Sequence, residues 1–542
     1  MSQVPNFISD ADAGQGVDPV VPPAGSLPVR VASTGEGAEL ARRTPSPVVR
    51  TNDHGYVPGR PPLMHQSEGL QKLSPRPAAA FLMEFGTGKS YLTVTNIGEL
   101  WAGGEITGAV ILAPKGNYDD WTLQDPETSH WLQSVSPELR EKLMLAQWRG
   151  GITQRERKGF AALAEHRGFS VLVVNTEALS GNSKKAEALV TAFLKSRRCL
   201  LACDESTLLR SSSSNRTKAA LRLASLAPYR RILTGLPTPR GSLDLYSQFQ
   251  FLDWRILGYN SFYTYRARYA VLKELHLGSR TVKTVVGYKN TSELWQKIEP
   301  YSYRVRADDC LDLPEATYRV WSTEMTDDQR KVYNGLRDEA LAAVGDQFAS
   351  ATAVITQMLR LHQVANGFVT TETGETVRLP HRKTEDLLTV LDASGEQKAV
   401  IWAHYHACVH EIVEALSKEY GPRSVVQYHG HVDAAGRQEA RERFARDPEC
   451  RWFVGTQATG GRGLNDLVVA RAAFYYANSF DLELRLNSEA RTRRKGSERH
   501  GSVSYTDMIV QDTVESKIVH ALRRKLDVAA AVVADGPRRW LV

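Results

Sequence analysis

Ala78-Ala-Ala-Phe-Leu-Met83 runs straight into Glu84-Phe85-Gly86-Thr87-Gly88-Lys89-Ser90, and a helical stretch follows. An apolar run of six residues bounded by a glycine turn reads as a buried strand. What the turn carries is chemical. Phosphate binding requires backbone N–H groups exposed at a helix N-terminus and glycines that let the chain curl. It also requires an ammonium for the outer phosphate oxygens and a hydroxyl for Mg²⁺. Gly86, Thr87, Gly88, Lys89 and Ser90 supply this set in order. A chance Gly-x-Gly-Lys-Ser/Thr somewhere in a chain of this length has odds of roughly 2%, which favours a functional loop. The strict eight-residue pattern is not met, because Met83 stands where its first glycine would be.

Working outward, further short apolar runs recur at Ala109-Val-Ile-Leu-Ala, Val171-Leu-Val-Val, Cys199-Leu-Leu-Ala-Cys and Arg231-Ile-Leu-Thr, with helical stretches between them. Alternation of this kind predicts an α/β lobe, a parallel sheet with helices on both faces. Asn215–Leu226 is one such helical stretch, with Ser214 or Asn215 as its expected N-cap. The alternation breaks near Asp253. A mixed segment follows with a hairpin-like stretch at Thr281–Lys289, and then a helical stretch from Asp328 to about Asn366. Strand–helix alternation resumes at Ala399-Val-Ile-Trp-Ala, Val425-Val-Gln-Tyr, Trp452-Phe-Val-Gly and Ala472-Ala-Phe-Tyr-Tyr. The organisation expected is a Pro/Gly/Ser-rich disordered leader over 1–60, a first lobe over 61–253 and a joining segment over 254–327. A second lobe with a helical insertion at its start covers 328–535, and a tail covers 536–542.

The composition, 42% hydrophobic and 24% charged, supports sizeable cores and excludes a chain disordered throughout. Sixty-eight Lys and Arg against 61 Asp and Glu leave a net charge of +7, which permits a polyanionic partner without requiring one. Five cysteines with no paired spacing exclude a disulfide framework, and Cys199 and Cys203 read as small buried hydrophobes. With neither a signal-peptide pattern nor an apolar run of spanning length, the expected location is cytoplasmic (a host's cytoplasm if the gene is a phage's), with no membrane partner.

Two more groups carry chemistry. Cys199-Leu-Leu-Ala-Cys203 delivers Asp204 and Glu205 to a strand end, where ligands of open α/β sheets bind. Asp204 is expected to hold Mg²⁺ together with Ser90, and Glu205 to orient and deprotonate the attacking water. In the far half, Asn487–Gly496 places Arg491, Arg493 and Arg494 on a helix and the turn after it. An arginine from a second lobe stabilises charge building on a γ-phosphate. Weaker features read as structural. Arg149, Arg155, Arg157 and Lys158 read as a solvated face, Arg523, Arg524 and Lys525 as a solvated helix, and Trp101, Trp121, Trp131 and Trp148 as packing residues. His406 and His410 lie four apart beside Glu411; with no third ligand evident in the sequence, they read as surface or core histidines.

The ordered set of motifs resembles the Snf-type branch of helicase superfamily two, in particular its compact bacteriophage forms, from about Pro61 to about Val533. Leu63-Met-His-Gln66 resembles the glutamine motif that reads adenine, and Met83–Ser90 the family's P-loop, which also lacks the first glycine. Pro114, Lys115, Asn175 and Thr176 match the first lobe's nucleic-acid contacts. Asp204-Glu-Ser-Thr207 matches the acidic box, and Thr234-Gly235-Leu-Pro237 the element coupling the lobes. Thr456, Gly460, Gly461, Gly463, Leu464 and Asn465 lie in a stretch similar to the family's Gly-Gly-x-Gly-Leu-Asn motif, and Arg491 and Arg494 fall at its two arginines. Three positions depart from the pattern: Thr207 for His, and Asn487 and Ser497 each for Gln.

The resemblance implies two RecA-like parallel-sheet lobes in tandem and a P-loop ATPase using ATP and Mg²⁺. Gln66, Gly86, Thr87, Gly88, Lys89, Ser90 and Gly463 are its expected nucleotide residues. Its expected activity is sequence-independent movement along or remodelling of DNA, double-stranded or forked, with replication or recombination proteins as further partners. An RNA-directed helicase and an ATP-switched nucleic-acid-binding protein are the alternatives.

Overall fold

A computed structural model of the chain describes residues 55–116, 118–123, 129–150, 153–181, 184–277, 280–344, 351–371, 373–395, 397–461, 464–524 and Trp540. Residues 1–54 of the leader expected over 1–60, and most of the tail expected over 536–542, lie outside these residues. Two compact units divide them: an N-terminal lobe of residues up to 270 with 288–312, and a C-terminal lobe of residues 271–287 and 313 onward.

In the N-terminal lobe the chain lays down β1 (Ala78–Met83), β2 (Gly108–Ala113), β3 (Leu143–Trp148), β4 (Phe169–Asn175), β5 (Cys199–Asp204) and β6 (Tyr229–Leu233). A two-stranded pair follows, β7 (Ala270–Leu277) with β8 (Arg280–Tyr288), and the chain then returns with β9 (Ser302–Val305). Strands β1–β6 and β9 make a seven-stranded, all-parallel sheet in the order β3-β4-β2-β5-β6-β1-β9. β1 is buried at every position. Ala78, Ala80 and Leu82 pack into one core with Leu172 and Leu201, whereas Ala79, Phe81 and Met83 pack into the opposite core with Ile97 and Val173. Burial on both faces explains the unbroken apolar run.

The expected leader boundary at residue 60 needs correction. Tyr56 is buried beneath the helix Lys89–Ala102, and its ring approaches Gly98 so closely that a Cβ there would overlap it. Its hydroxyl also accepts from the Ser136 N–H, so the lobe begins before residue 60. The stretch 254–327, expected to join the lobes, instead supplies a strand to each: β9 lies beside β1, and β10 (Glu315–Thr323) forms an edge of the second sheet.

The C-terminal lobe follows β10 with two helices, Asp327–Val344 and Ala351–Ala365, where one helical stretch was expected. A short antiparallel pair, β11 (Phe368–Thr370) and β12 (Thr376–Arg378), comes next. The sheet is completed by β13 (Ala399–Ala403), β14 (Val425–Tyr428), β15 (Trp452–Thr456), β16 (Ala472–Tyr475) and β17 (Ser502–Val510). It is again all parallel, ordered β10-β17-β16-β13-β15-β14. β13 repeats the logic of β1, with Ile401 facing one core and Val400 and Trp402 the other.

Buried charge fixes this lobe. Lys383 donates to both oxygens of Glu515 at 2.7 and 2.8 Å and to Asn366 Oδ1 at 3.1 Å, with no side-chain exposure at the lysine. Burial would raise the Glu515 carboxyl, but the Lys383 ammonium and His362 outweigh it and hold it down at about 2. Removing one partner of such a pair costs about 3–5 kcal/mol, because the other charge is stranded. A second pair joins Arg485 to Asp507, with Arg485 also stacked 3.6 Å over the Tyr475 ring. Arg523, expected to be solvated, reaches the same Asp507 and the Arg319 carbonyl. Among the described residues no helix is long and apolar enough to cross a membrane.

Candidate nucleotide and nucleic-acid sites

In the N-terminal lobe the candidate residues converge because parallel strands all end at one edge. The loop after β1 turns through Gly86 at φ +79° and Gly88 at φ +95°, values that glycine adopts without strain. Gly88 then caps the helix Lys89–Ala102, so the first N–H groups of that helix have no intrahelical partner and suit an anion. Gln66 lies against this loop: its amide donates to the Thr87 carbonyl at 3.1 Å, and a Cβ on Gly88 would stand 2.2 Å from Gln66 Nε2. His65 adds a second contact to the same carbonyl at 2.8 Å. The Lys89 ammonium folds back onto the Met83 and Glu84 carbonyls at 3.0 and 3.4 Å and lies 4.8 Å from the Phe85 ring centroid. Carbonyl contacts of this kind are ones an ammonium can exchange for phosphate oxygens.

The acidic pair ends β5, separated from β1 by β6 alone. Asp204 is buried and fully engaged: Oδ1 accepts from the Glu205 N–H at 3.0 Å and Oδ2 from the Trp121 indole N–H at 3.0 Å. Glu205 sits at φ +48°, a left-handed conformation uncommon outside glycine, and strain of this sort gathers at working sites. Trp121 is fully buried as expected, but it also orients a candidate metal ligand, which its sequence position 83 residues away does not announce. The Ser90 hydroxyl and Asp204 carboxylate are all-oxygen donors of the kind Mg²⁺ takes, so the residues present suit that ion.

The coupling candidates are tied to both groups. A Cβ on Gly235 would lie 3.2 Å from the Phe85 ring, so the loop after β6 packs directly on the phosphate loop. Thr234 is buried, its N–H donates to the Phe81 carbonyl at 3.2 Å, and its hydroxyl accepts from the Leu236 N–H at 3.1 Å. The fully buried Gln248 bridges the rest: it accepts from the Ser206 hydroxyl at 2.7 Å and donates to the Pro237 carbonyl at 2.8 Å. Sequence reading missed Gln248, which no motif contains.

Candidate strand contacts occupy neighbouring strand ends. Pro114 and Lys115 follow β2, while Asn175 ends β4, which pairs with it, and Thr176 comes directly after. The Lys115 N–H donates to Glu177 at 3.0 Å and holds the two loops together. Asn175 Oδ1 and Thr176 Oγ1 are buried without hydrogen-bond partners among the described residues. In the basic cluster nearby, expected as a solvated face, Arg149 is exposed and pairs with the exposed Asp119 at 3.4 Å; the Arg155 side chain is not among those described.

In the C-terminal lobe, Thr456 ends β15 and its hydroxyl donates to Thr459 at 3.1 Å. Gly460 and Gly461 follow under close approach: a Cβ would stand 2.7 Å from the Trp402 ring at the first and 2.4 Å from the Gln457 carbonyl at the second. Gly463, expected to contact nucleotide, lies outside the described residues. The helix Leu482–Thr492 carries Arg491, whose guanidinium donates to the Leu464 and Asn487 carbonyls at 3.2 Å each. Arg494 follows the helix and bonds Asn465 Oδ1, and its N–H donates to the Ser497 hydroxyl at 3.1 Å. Both candidate arginines are thus seated on the loop that precedes β16. Ser497, one of the three departures, bonds Arg494 at both its backbone N–H and its carbonyl.

A parallel sheet with a glycine–lysine loop ending one strand and paired carboxylates ending another, one strand removed, is the construction of a P-loop nucleotide-binding lobe. Residues 65–368, more than half of the chain, match the SNF2-related domain. The chain belongs to that family, and each of its two lobes is built on an all-parallel sheet. Among curated relatives, the DNA annealing helicase and endonuclease ZRANB3 of Bos taurus is 21% identical over 83% of this chain and 38% of its own length. The TATA-binding protein-associated factor mot1 of Aspergillus fumigatus is 24% identical over 62% of this chain and 20% of its own length. This chain therefore spans well under half of either protein. Putative protein p41 of Acyrthosiphon pisum secondary endosymbiont phage 1 is 21% identical over 59% of this chain and 69% of its own. The Sulfolobus solfataricus SWI2/SNF2 ATPase core in complex with double-stranded DNA aligns with 88% of this chain and 93% of that one, at 16% identity and a TM-score of 0.36.

Proposed function

We propose that this chain is a DNA-dependent ATPase that couples hydrolysis of Mg-ATP to movement along duplex DNA. The observation that carries the reading is the single sheet edge on which Gln66, the Gly86–Ser90 loop, Asp204, Glu205 and the Thr234–Pro237 loop meet. Membership of the SNF2-related family supports it, as does a relative described as a DNA annealing helicase.

In this reading the loop N–H groups and Lys89 cradle the triphosphate, and Gln66 holds the base. Ser90 and Asp204 are the residues that would hold Mg²⁺, which neutralises charge on the phosphate oxygens when bound. Glu205 takes a proton from the attacking water. Arg491 and Arg494 of the C-terminal lobe meet the charge that develops on the transferred group. Thr234, Gly235 and Pro237 transmit loss of the γ-phosphate. Pro114, Lys115, Asn175 and Thr176 grip the sugar-phosphate chain from one lobe, and Thr456, Gly460 and Gly461 from the other. Backbone and hydroxyl contacts of this type carry no base information, so binding is sequence-independent and weakens as salt rises.

Thr207, in the place of the family's usual His, favours one alternative, an ATP-gated clamp with weak coupling. Phosphate release measured with no nucleic acid, with duplex DNA and with duplex RNA separates the readings. Stimulation by duplex DNA of tenfold or more supports the motor. A flat, slow rate supports the clamp, and stimulation by RNA alone supports an RNA-directed enzyme.

A further inference from the structure

The sequence shows two histidines one helical turn apart and no third. The fold supplies the rest. His406 opens the helix His406–Tyr420 immediately after β13, while His429 and His431 follow β14. β13 and β14 both pair with β15 in parallel, so the two segments leave the same sheet edge on either side of one strand. Three imidazoles converge there. The rings of His406 and His431 stack at 4.1 Å between centroids with an interplanar angle of 12°, and His429 meets His406 edge-on at 5.0 Å. One nitrogen from each of the three lies within 4.8 Å of the others.

We propose that His406, His429 and His431 form a binding site for a borderline transition-metal dication, Zn²⁺ in the first instance. Two observations beyond proximity support it. His406 Nδ1 is buried and has no hydrogen-bond partner among the described residues, a costly state for an imidazole that a metal would relieve. The His429 ring is held at both nitrogens: Nε2 lies 3.3 Å from the Gln427 side-chain oxygen, which can accept its proton, and Nδ1 accepts from the His431 N–H at 3.3 Å, a bond that coordination through Nδ1 would replace. A carbonyl acceptor on the far nitrogen is the usual means of fixing a ligating imidazole.

The donor set selects the ion. Three nitrogens with no carboxylate or thiolate among them exclude Mg²⁺ and Ca²⁺, which require oxygen, and suit Zn²⁺, Co²⁺, Ni²⁺ or Cu²⁺. Three protein ligands with water as the fourth complete a tetrahedron. His431 is exposed and His406 only partly buried, so the ion can enter from solvent without unfolding the lobe. The site adjoins the end of β15, where Thr456 is assigned to DNA, and it would clamp the start of the helix His406–Tyr420 to the loop after β14.

Co²⁺ titration of the chelator-stripped, full-length protein tests this directly, because tetrahedral nitrogen-bound Co²⁺ absorbs in the visible and Zn²⁺ displaces it. The expected result is one equivalent of Co²⁺ with that spectrum, lost on adding Zn²⁺. Binding should weaken at least a hundredfold in His431→Ala, an exposed position whose change leaves folding intact, and similarly in His406→Ala. His520→Ala, an exposed histidine elsewhere in the lobe, should bind as the wild type does. Absence of a tetrahedral spectrum, or equal binding by His431→Ala and wild type, would overturn the proposal.

Discussion

Lys89→Ala is expected to lower DNA-stimulated phosphate release by at least about a hundredfold, with the protein still folded. Removing one preorganised donor from a site of developing charge costs roughly 10²–10³ in turnover. The ammonium is nearly buried and already held by two backbone carbonyls, so it waits in place and loses little freedom when phosphate oxygens replace them. Alanine suits the first turn of the helix Lys89–Ala102 and leaves Gly88 as its cap, so thermal unfolding should change little. Phosphate release by this variant within threefold of wild type would remove the nucleotide from this loop.

Arg494→Ala should cost more, about 10³-fold or greater if the guanidinium acts as an arginine finger, while nucleotide affinity changes little. The side chain is anchored to Asn465 and its backbone to Ser497, so its position is fixed before any substrate arrives. Arg494→Lys should not restore the rate, because an ammonium lacks the planar fork that meets two phosphate oxygens together. Arg485, only nine positions earlier, should behave differently. It is buried against Asp507 and Tyr475, so replacing it should lower stability more than it alters catalysis. Single-turnover phosphate release alongside fluorescent-nucleotide binding distinguishes the two behaviours. Unchanged turnover by the Arg494 variant would transfer the role to Arg491.

Much of the fold was readable because buried parallel strands leave an unmistakable mark. β1, β2, β4 and β5 are apolar at nearly every position since both faces meet a core. The strands that escaped notice are those that break this rule. β3 is a half-buried edge strand, and β9 has only four residues and gains its place by pairing with β1. β10 is largely exposed along its first half. β17 carries Ser502, Ser504, Thr506 and Asp507, and its acidic residue tolerates burial only because Arg485 and Arg523 come to it from elsewhere.

The candidate site divides in the same way. A phosphate loop is local, so Gly86 to Ser90 could be read from spacing alone. Trp121 against Asp204, and Gln248 between Ser206 and Pro237, are contacts across 83 and 42 residues that only the sheet order creates. The histidine cluster is the sharpest case. Of the visible helix pair only His406 takes part, and the other two nitrogens, from His429 and His431, come from the loop beyond the next strand, at a spacing that suggests nothing.

Movement along DNA is the claim on which this account rests. Displacement of a triplex-forming strand from a long duplex measures it most directly, because a motor advancing along the duplex ejects the third strand without separating the other two. The account predicts displacement that requires ATP hydrolysis and disappears in Lys89→Ala. If the protein hydrolysed ATP on that duplex while the third strand stayed bound, the chain would be an ATP-driven clamp and the account would fail.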